Sequence, residues 1–378
     1  MPVLPHQVTR SLPRAVIGLA ISAILPTAGC VSLHRADKHT FEPLHFPSAD
    51  AWPRLVLYGN LSHLLPTFDR TPPLELWLYG PSSFGKTAMR NPQGMALLGT
   101  RLLVCDQGRS DIIAVDLADG SSLIWGDPDH RPRCPVDIAV GAPDSVYVAD
   151  ANLRSVLHYG VDQRFRGEIK PAEASDERFR PAALCVGDNI LYVGNTSGHQ
   201  IDRWDLTTRQ WLDSLVPPKS QPNLVAPTGL AFTRNGVLLT VDAIGARVFR
   251  YRNDGRWLDP IGRPGRGQGE LIRPKQVCVT AGGLMLVTDA GRQSVVVFDG
   301  DGRFVTEIRE QSEAWRGLTL PFGILALSPE RMPAPPQAAV RETADPTAYI
   351  VVSDSLGRDS LLLLGVFESP VQESQRAR

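Results

Sequence analysis

Gly80, Gly85, Lys86 and Thr87 reproduce the spacing G-x-x-x-x-G-K-[ST], in which glycine N–H groups wrap a nucleotide phosphate and the lysine meets its outer oxygens. The run Leu102–Asp106 imitates the apolar strand and acid that hold magnesium in such sites. That chemistry needs a helix directly after the lysine, so that its first N–H groups and its dipole face the phosphates. Pro92 and Gly94 follow Thr87 too closely to leave room for one. Gly265, Gly267 and Gly269 suggest a dinucleotide loop, yet again no helix and no βαβ unit follow. Both glycine signals read as coincidence.

Metal chemistry is the next candidate. A calcium-dependent lactonase or lyase needs several converging oxygen ligands. Asp137 is the one acid among Gln93, Val136, Asp137, Ala182, Thr228, Lys275, Gln276 and Phe322, the residues that follow a recurring proline. No histidine pair stands at ligand spacing, and no Ser–His–Asp order emerges. Bases recur instead: Arg109, Arg154, His199, Arg247, Arg292 and Arg358 each follow a short apolar run. Their bland role is to cap turn carbonyls or pair with a neighbouring acid. Their functional role is a positive ring, thickened on one side by Arg263, Arg266, Arg273 and Lys275, that attracts anionic polymers.

The elements that must position these residues are strands. Arg273 to Ile308 reads as four apolar runs divided by Ala281-Gly282-Gly283, Asp289-Ala290-Gly291-Arg292 and Asp299-Gly300-Asp301-Gly302, the turn chemistry of an antiparallel meander. The pattern recurs. Pro92, Pro135, Pro181, Pro227, Pro274 and Pro321 open successive copies at intervals of roughly 45 residues, a period that signals radial packing of four-stranded sheets. An acid closes the second run as Asp106, Asp150, Asp242, Asp289 and Asp354, with Asn195 in the third copy. The expected fold is all-β: a six-bladed propeller of four-stranded antiparallel blades over residues 55–367. An N-terminal strand closes the ring, with Leu74–Tyr79 expected in that role and Leu55–Tyr58 left without a place. Residues 328–347 form a Pro-rich insertion on the face opposite the repeat prolines.

Pro227–Phe232 with Val241-Asp242, and Leu286–Asp289 with Val295–Phe298, resemble the NHL repeat. The resemblance spans Leu74 to Val366 and includes the bacterial six-bladed lipoproteins of that type. It implies a binding surface for protein, RNA or carbohydrate; lactonases and lyases are a minority of related rings. Fold likeness alone does not choose between them.

Composition narrows the partners. The chain has 378 residues and a net charge of −1, which argues against a general nucleic-acid binder. Arg10 and Arg14 precede the apolar run Ala15–Leu25, and Thr27-Ala28-Gly29-Cys30 follows, the layout of a secretory signal with a lipobox cysteine. Residues 1–30 are therefore expected to be a signal peptide, Cys30 the lipidated residue, 31–54 a polar tether and 368–378 a disordered tail. Val31 after the cysteine favours the outer membrane of the bacterial envelope. Cys185 and Cys278 read as small core residues; Cys105 and Cys134 are close enough in the repeat to leave a disulfide open. The function expected is a monomeric, lipid-anchored, non-catalytic binding propeller with no cofactor, whose partner is an envelope protein or an acidic polysaccharide. Its candidate contacts are Gln93, Asp137, Thr228, Arg266, Arg273, Lys275 and Gln276. The alternative is a divalent-metal lactonase or lyase, with calcium at Asp137 in the central channel.

Overall fold

A computed structural model describes residues 44–46, 54–61, 89–141, 144–171, 178–309, 317–332, 345–356 and 360–367. They form six antiparallel sheets in sequence order around one ring. Blade one consists of Pro92–Leu98, Arg101–Asp106, Asp111–Asp116 and Ser122–Trp125. Blades two to five repeat this from inner strands Pro135–Gly141, Pro181–Gly187, Pro227–Phe232 and Pro274–Val279. Blade six is built from Pro321–Leu327, Ala348–Asp354 and Leu361–Phe367. Among the described residues the one named helix is a short 3-10 turn, Pro329–Arg331, at the start of the Pro-rich insertion.

The strands are short because each alternates between two neighbouring blades and is cut at both ends by turn residues. Six apolar clusters result, one for each blade-to-blade interface. Cys278 lies in the cluster between blades five and six, and Cys185 packs against the one between three and four. Cys105 is buried, Cys134 half-buried, and both are free thiols. Gln107 donates to the Cys134 sulfur.

The ring closes differently from the expectation. Arg54–Asn60 pairs antiparallel with Leu361–Phe367 and completes blade six, while Leu44–Phe46 adds a fifth strand outside it. Leu74–Tyr79, expected in that place, lies outside the described residues, and its site beside Leu361–Phe367 is taken. The 31–54 tether accordingly contains a strand. Phe46, Leu55 and Leu57 are fully buried against blade five's Leu286 and Val297, which explains why this stretch and not a later one docks. Residues 1–30, including Cys30, and 368–378 are outside the described set.

Candidate binding face and channel

The repeat acid proves to be a backbone cap. Asp289 accepts N–H bonds from Ile272 and Arg273 before the inner strand, and from Gly291 and Arg292 in the following turn. Asp150 does the same for Arg133, Cys134, Asn152 and Leu153. Asp106 and Asp242 repeat the scheme. Each carboxylate thus ties the loop entering a blade to the turn beside it, satisfying N–H groups that neither segment can pair internally.

A consequence is a fixed collar of bases. Arg90, Arg133, Arg180 and Arg273 stand one or two residues before the repeat prolines of blades one, two, three and five. Each has its own backbone N–H held by the repeat Asp or Asn. Their side chains are exposed on the proline face, and none of the four forms a salt bridge among the described residues. Only Arg273 was singled out from sequence; the signal for the other three was their position next to the proline.

The six turn bases do not form a ring of equivalent positions. Arg109 and Arg292 stand three residues after the repeat acid, Arg154 and His199 four, Arg247 five, and Arg358 lies outside the described residues. The fourth position adopts a left-handed backbone in Ser110, Arg154, His199, Ala246 and Gln293. Arg292 is buried against Glu307 and also donates to the Gly267 carbonyl. Arg247 donates to the Gly245 carbonyl, and a ring nitrogen of His199 bonds the Val225 carbonyl. For these three, turn and loop capping accounts for the base.

The glycine-rich loop is folded around its own acid. Glu270 accepts from the Gly267 N–H at 2.7 Å and from Arg263 at 2.9 Å. A Cβ on Gly265, whose φ is +155°, would meet the Glu270 carboxylate at 2.0 Å, so the space a phosphate would need is already occupied. Arg266 is exposed on this loop.

The second residue after each proline is Gly94, Asp137, Ala183, Gly229, Gln276 and Gly323 in ring order, and Asp137 and Gln276 are the buried polar members. Blades two and five are opposite one another in the ring, and the Gln276 side chain is among the groups that favour the ionised Asp137 carboxyl. Glycine is required beside both. A Cβ on Gly94 would lie 2.0 Å from Asp137 Oδ1, and one on Gly229 2.4 Å from Gln276 Oε1. The Leu184 N–H donates to Asp137 Oδ2 at 2.8 Å. Burial pushes the Asp137 carboxyl up to about 7, against the opposing pull of the Leu184 and Ile138 N–H groups and Gln276.

The other residues singled out from sequence hold the mouth together. Gln93 is buried and donates to Asn91, Ser355 and the Pro92 carbonyl. Thr228 donates to the Lys275 carbonyl at 2.8 Å. Lys275 is half-buried with its ammonium 5.6 Å above the Phe322 ring, and burial and the Arg273 charge push its pKa down.

The channel's donor set for a divalent cation is small. Among the described residues no three His, Cys, Asp or Glu side chains converge. Asp137 is a carboxyl with one oxygen already accepting from the Leu184 N–H, and a hard cation needs six or more oxygens.

The ring and its face define a class: an all-β, six-bladed propeller of four-stranded antiparallel blades. No protein-family model and no curated protein matches the chain. Solved structures do match. A streptogramin B lyase shares 13% identity at a TM-score of 0.51, covering 75% of this chain and 95% of the other. A putative gluconolactonase gives 13% and 0.54, covering 74% and 90%. A Xanthomonas campestris gluconolactonase gives 15% and 0.53, covering 86% and 95%. Likeness at this identity carries the fold and no more.

Proposed function

We propose that the protein is a binding propeller of the bacterial cell envelope, lipid-anchored through Cys30, that holds an acidic polysaccharide against its proline face. The observation that carries this reading is the arginine collar. Arg90, Arg133, Arg180 and Arg273 share one place in the repeat, and a side-chain acceptor fixes the backbone of each. A rigid backbone presenting exposed guanidinium groups around a channel mouth suits a flexible polyanion, because Arg pairs carboxylates and sulfates through two parallel N–H bonds. Arg266 and Lys275 extend the positive rim beside Arg273. The NHL-type resemblance agrees with a surface that binds. Among the described residues no helix is long and apolar enough to cross a membrane, and the anchor proposed is the lipid on Cys30.

Polygalacturonate binding at low salt tests the reading. Changing the four collar arginines together to glutamine should weaken binding by roughly a hundredfold and flatten its salt dependence, since each removes one screened contact. Thermal stability should stay unchanged, as the caps use backbone atoms. Equal binding by the variant would sink the proposal. Metabolic labelling with a fatty acid, lost in Cys30→Ala, tests the anchor.

The second reading, a divalent-metal lactonase or lyase, draws on the buried, shifted Asp137 in the channel and on the fold likeness to a streptogramin B lyase and a gluconolactonase. Its donor set is the weak point. A calcium-dependent rise in thermal midpoint that Asp137→Asn abolishes would revive it; no rise is expected.

A further inference from the structure

Blade three departs from the repeat in its interior. Asp202 occupies the place that Ile113, Leu157, Phe249, Val296 and Leu362 fill in the other blades, each two residues inside the cap pair. Those five are apolar interface residues. Asp202 is instead a carboxylate, 3% exposed, in the seam between blades two and three. It accepts from Asn195 Nδ2 at 2.9 Å, Gln200 Nε2 at 2.6 Å and Ser214 Oγ at 2.6 Å. Burying a charge at a blade interface is costly even when it is bonded, so this cluster is an expensive substitute for the isoleucine or valine found elsewhere. The cap residue has changed with it: Asn195 keeps one oxygen for the Arg180 and Gly198 N–H groups and turns its amide hydrogens to Asp202.

The seam is also open. A cavity of about 800 Å³ runs along it, with Asn195, Gln200 and Asp202 in its wall, Arg178 and His199 at the proline-face end and Trp211 at the other. Trp211 is 53% exposed, an unusual state for the largest apolar side chain.

We propose that this cleft binds one pyranose unit of a saccharide, stacked on the Trp211 indole with its hydroxyls donating to the Asp202 and Gln200 oxygens in the wall. The volume falls within the range of small-molecule sites. The wall is rich in oxygen acceptors and centred on a carboxylate, which repels an anion and welcomes hydroxyl donors. A flat, exposed aromatic face matches the C–H face of a sugar ring, apolar on one side and polar at its rim. The site adjoins the collar at Asn195, which also holds the Arg180 N–H, but uses none of the four collar side chains.

Calorimetry of the full chain with cellotriose and with maltotriose tests it. At least one should bind, and Trp211→Ala should weaken that binding at least tenfold (roughly 1.4 kcal/mol), while Trp211→Phe stays within about threefold. The double variant Asp202→Leu, Ser214→Ile installs the kind of apolar pair that Ile113 and Ile124 make in blade one. It should fold with an equal or higher thermal midpoint and bind neither sugar. Should that variant fail to fold, the exposed Trp211→Ala decides alone. The proposal is overturned if neither trisaccharide binds below about 10 mM, or if Trp211→Ala binds like the parent. It is also overturned if binding disappears in the four-arginine collar variant, because the sugar would then be held at the channel mouth.

Discussion

Blades five and three follow one register and solve it with opposite chemistry. In blade five the repeat acid Asp289 spends both oxygens on four backbone N–H groups, and the neighbouring strand is apolar at Val296. Its one buried ion pair, Arg292 with Glu307, is closed on itself and joined by Ser294. In blade three the cap is the neutral Asn195, and the negative charge has moved across the sheet to Asp202. The comparison separates two roles that look alike in sequence. An acid at the cap position is backbone chemistry; an acid at the third strand is a departure that the fold does not need. Asparagine at the cap is what permits it, since two adjacent buried carboxylates would repel.

The largest effect should come from breaking blade five. Asp289→Ala strands four N–H groups and should cost about 4 kcal/mol in urea unfolding. A loss under about 1 kcal/mol would mean that water replaces the cap and that the acid is not structural.

Asp137 answers to both blades: it takes the Leu184 N–H from three, and the Gln276 side chain of five favours its ionised form. Its pKa is raised from 3.8 to about 7, so the folded state holds a proton that the unfolded chain has released between those values. Stability from this group is fully present below pH 3.8 and falls as pH rises to about 7. Asp137→Asn should therefore stabilise the protein by a few kcal/mol at pH 8, since each pKa unit is worth about 1.4 kcal/mol, and by little at pH 4. Parallel pH–stability curves for parent and variant would refute the shift.

The smallest effect sharpens the comparison most. Asn195→Asp gives blade three the cap of blade five and sets two carboxylates together. It should cost about 2 kcal/mol at neutral pH, with part of the loss recovered on acidification as one of the pair takes a proton. A variant as stable as the parent at pH 7 would show that Asp202 is already neutral or displaced.

The sequence carried the fold well because every copy obeys the same local rules: proline, alternating strand, acid, turn. It carried the site less well wherever the answer depended on who stands opposite. Asp137 and Gln276 were each noticed as odd residues after a proline, but their coupling exists only because blades two and five face each other in a ring of six. Asp202 hid inside Gln200–Asp205, whose polar and apolar residues alternate like an ordinary strand. The turn bases looked equivalent because the eye aligns charges, whereas the backbone counts positions from the acid. Leu55–Tyr58 and Leu74–Tyr79 are alike in sequence as short apolar runs, and only the burial of Leu55 and Leu57 against blade five reveals the first as a blade strand.

The pairing of Arg54–Asn60 with Leu361–Phe367 has a further consequence, for the making of the protein. Among the described residues, the clasp joins the earliest long strand to the latest. Until the ribosome has finished residue 367, the early strand has no partner and the ring has two raw edges. Ring closure therefore waits for a strand that ends at Phe367. A truncated product, however well its first five blades have formed, carries an exposed strand edge that marks it for aggregation or proteolysis.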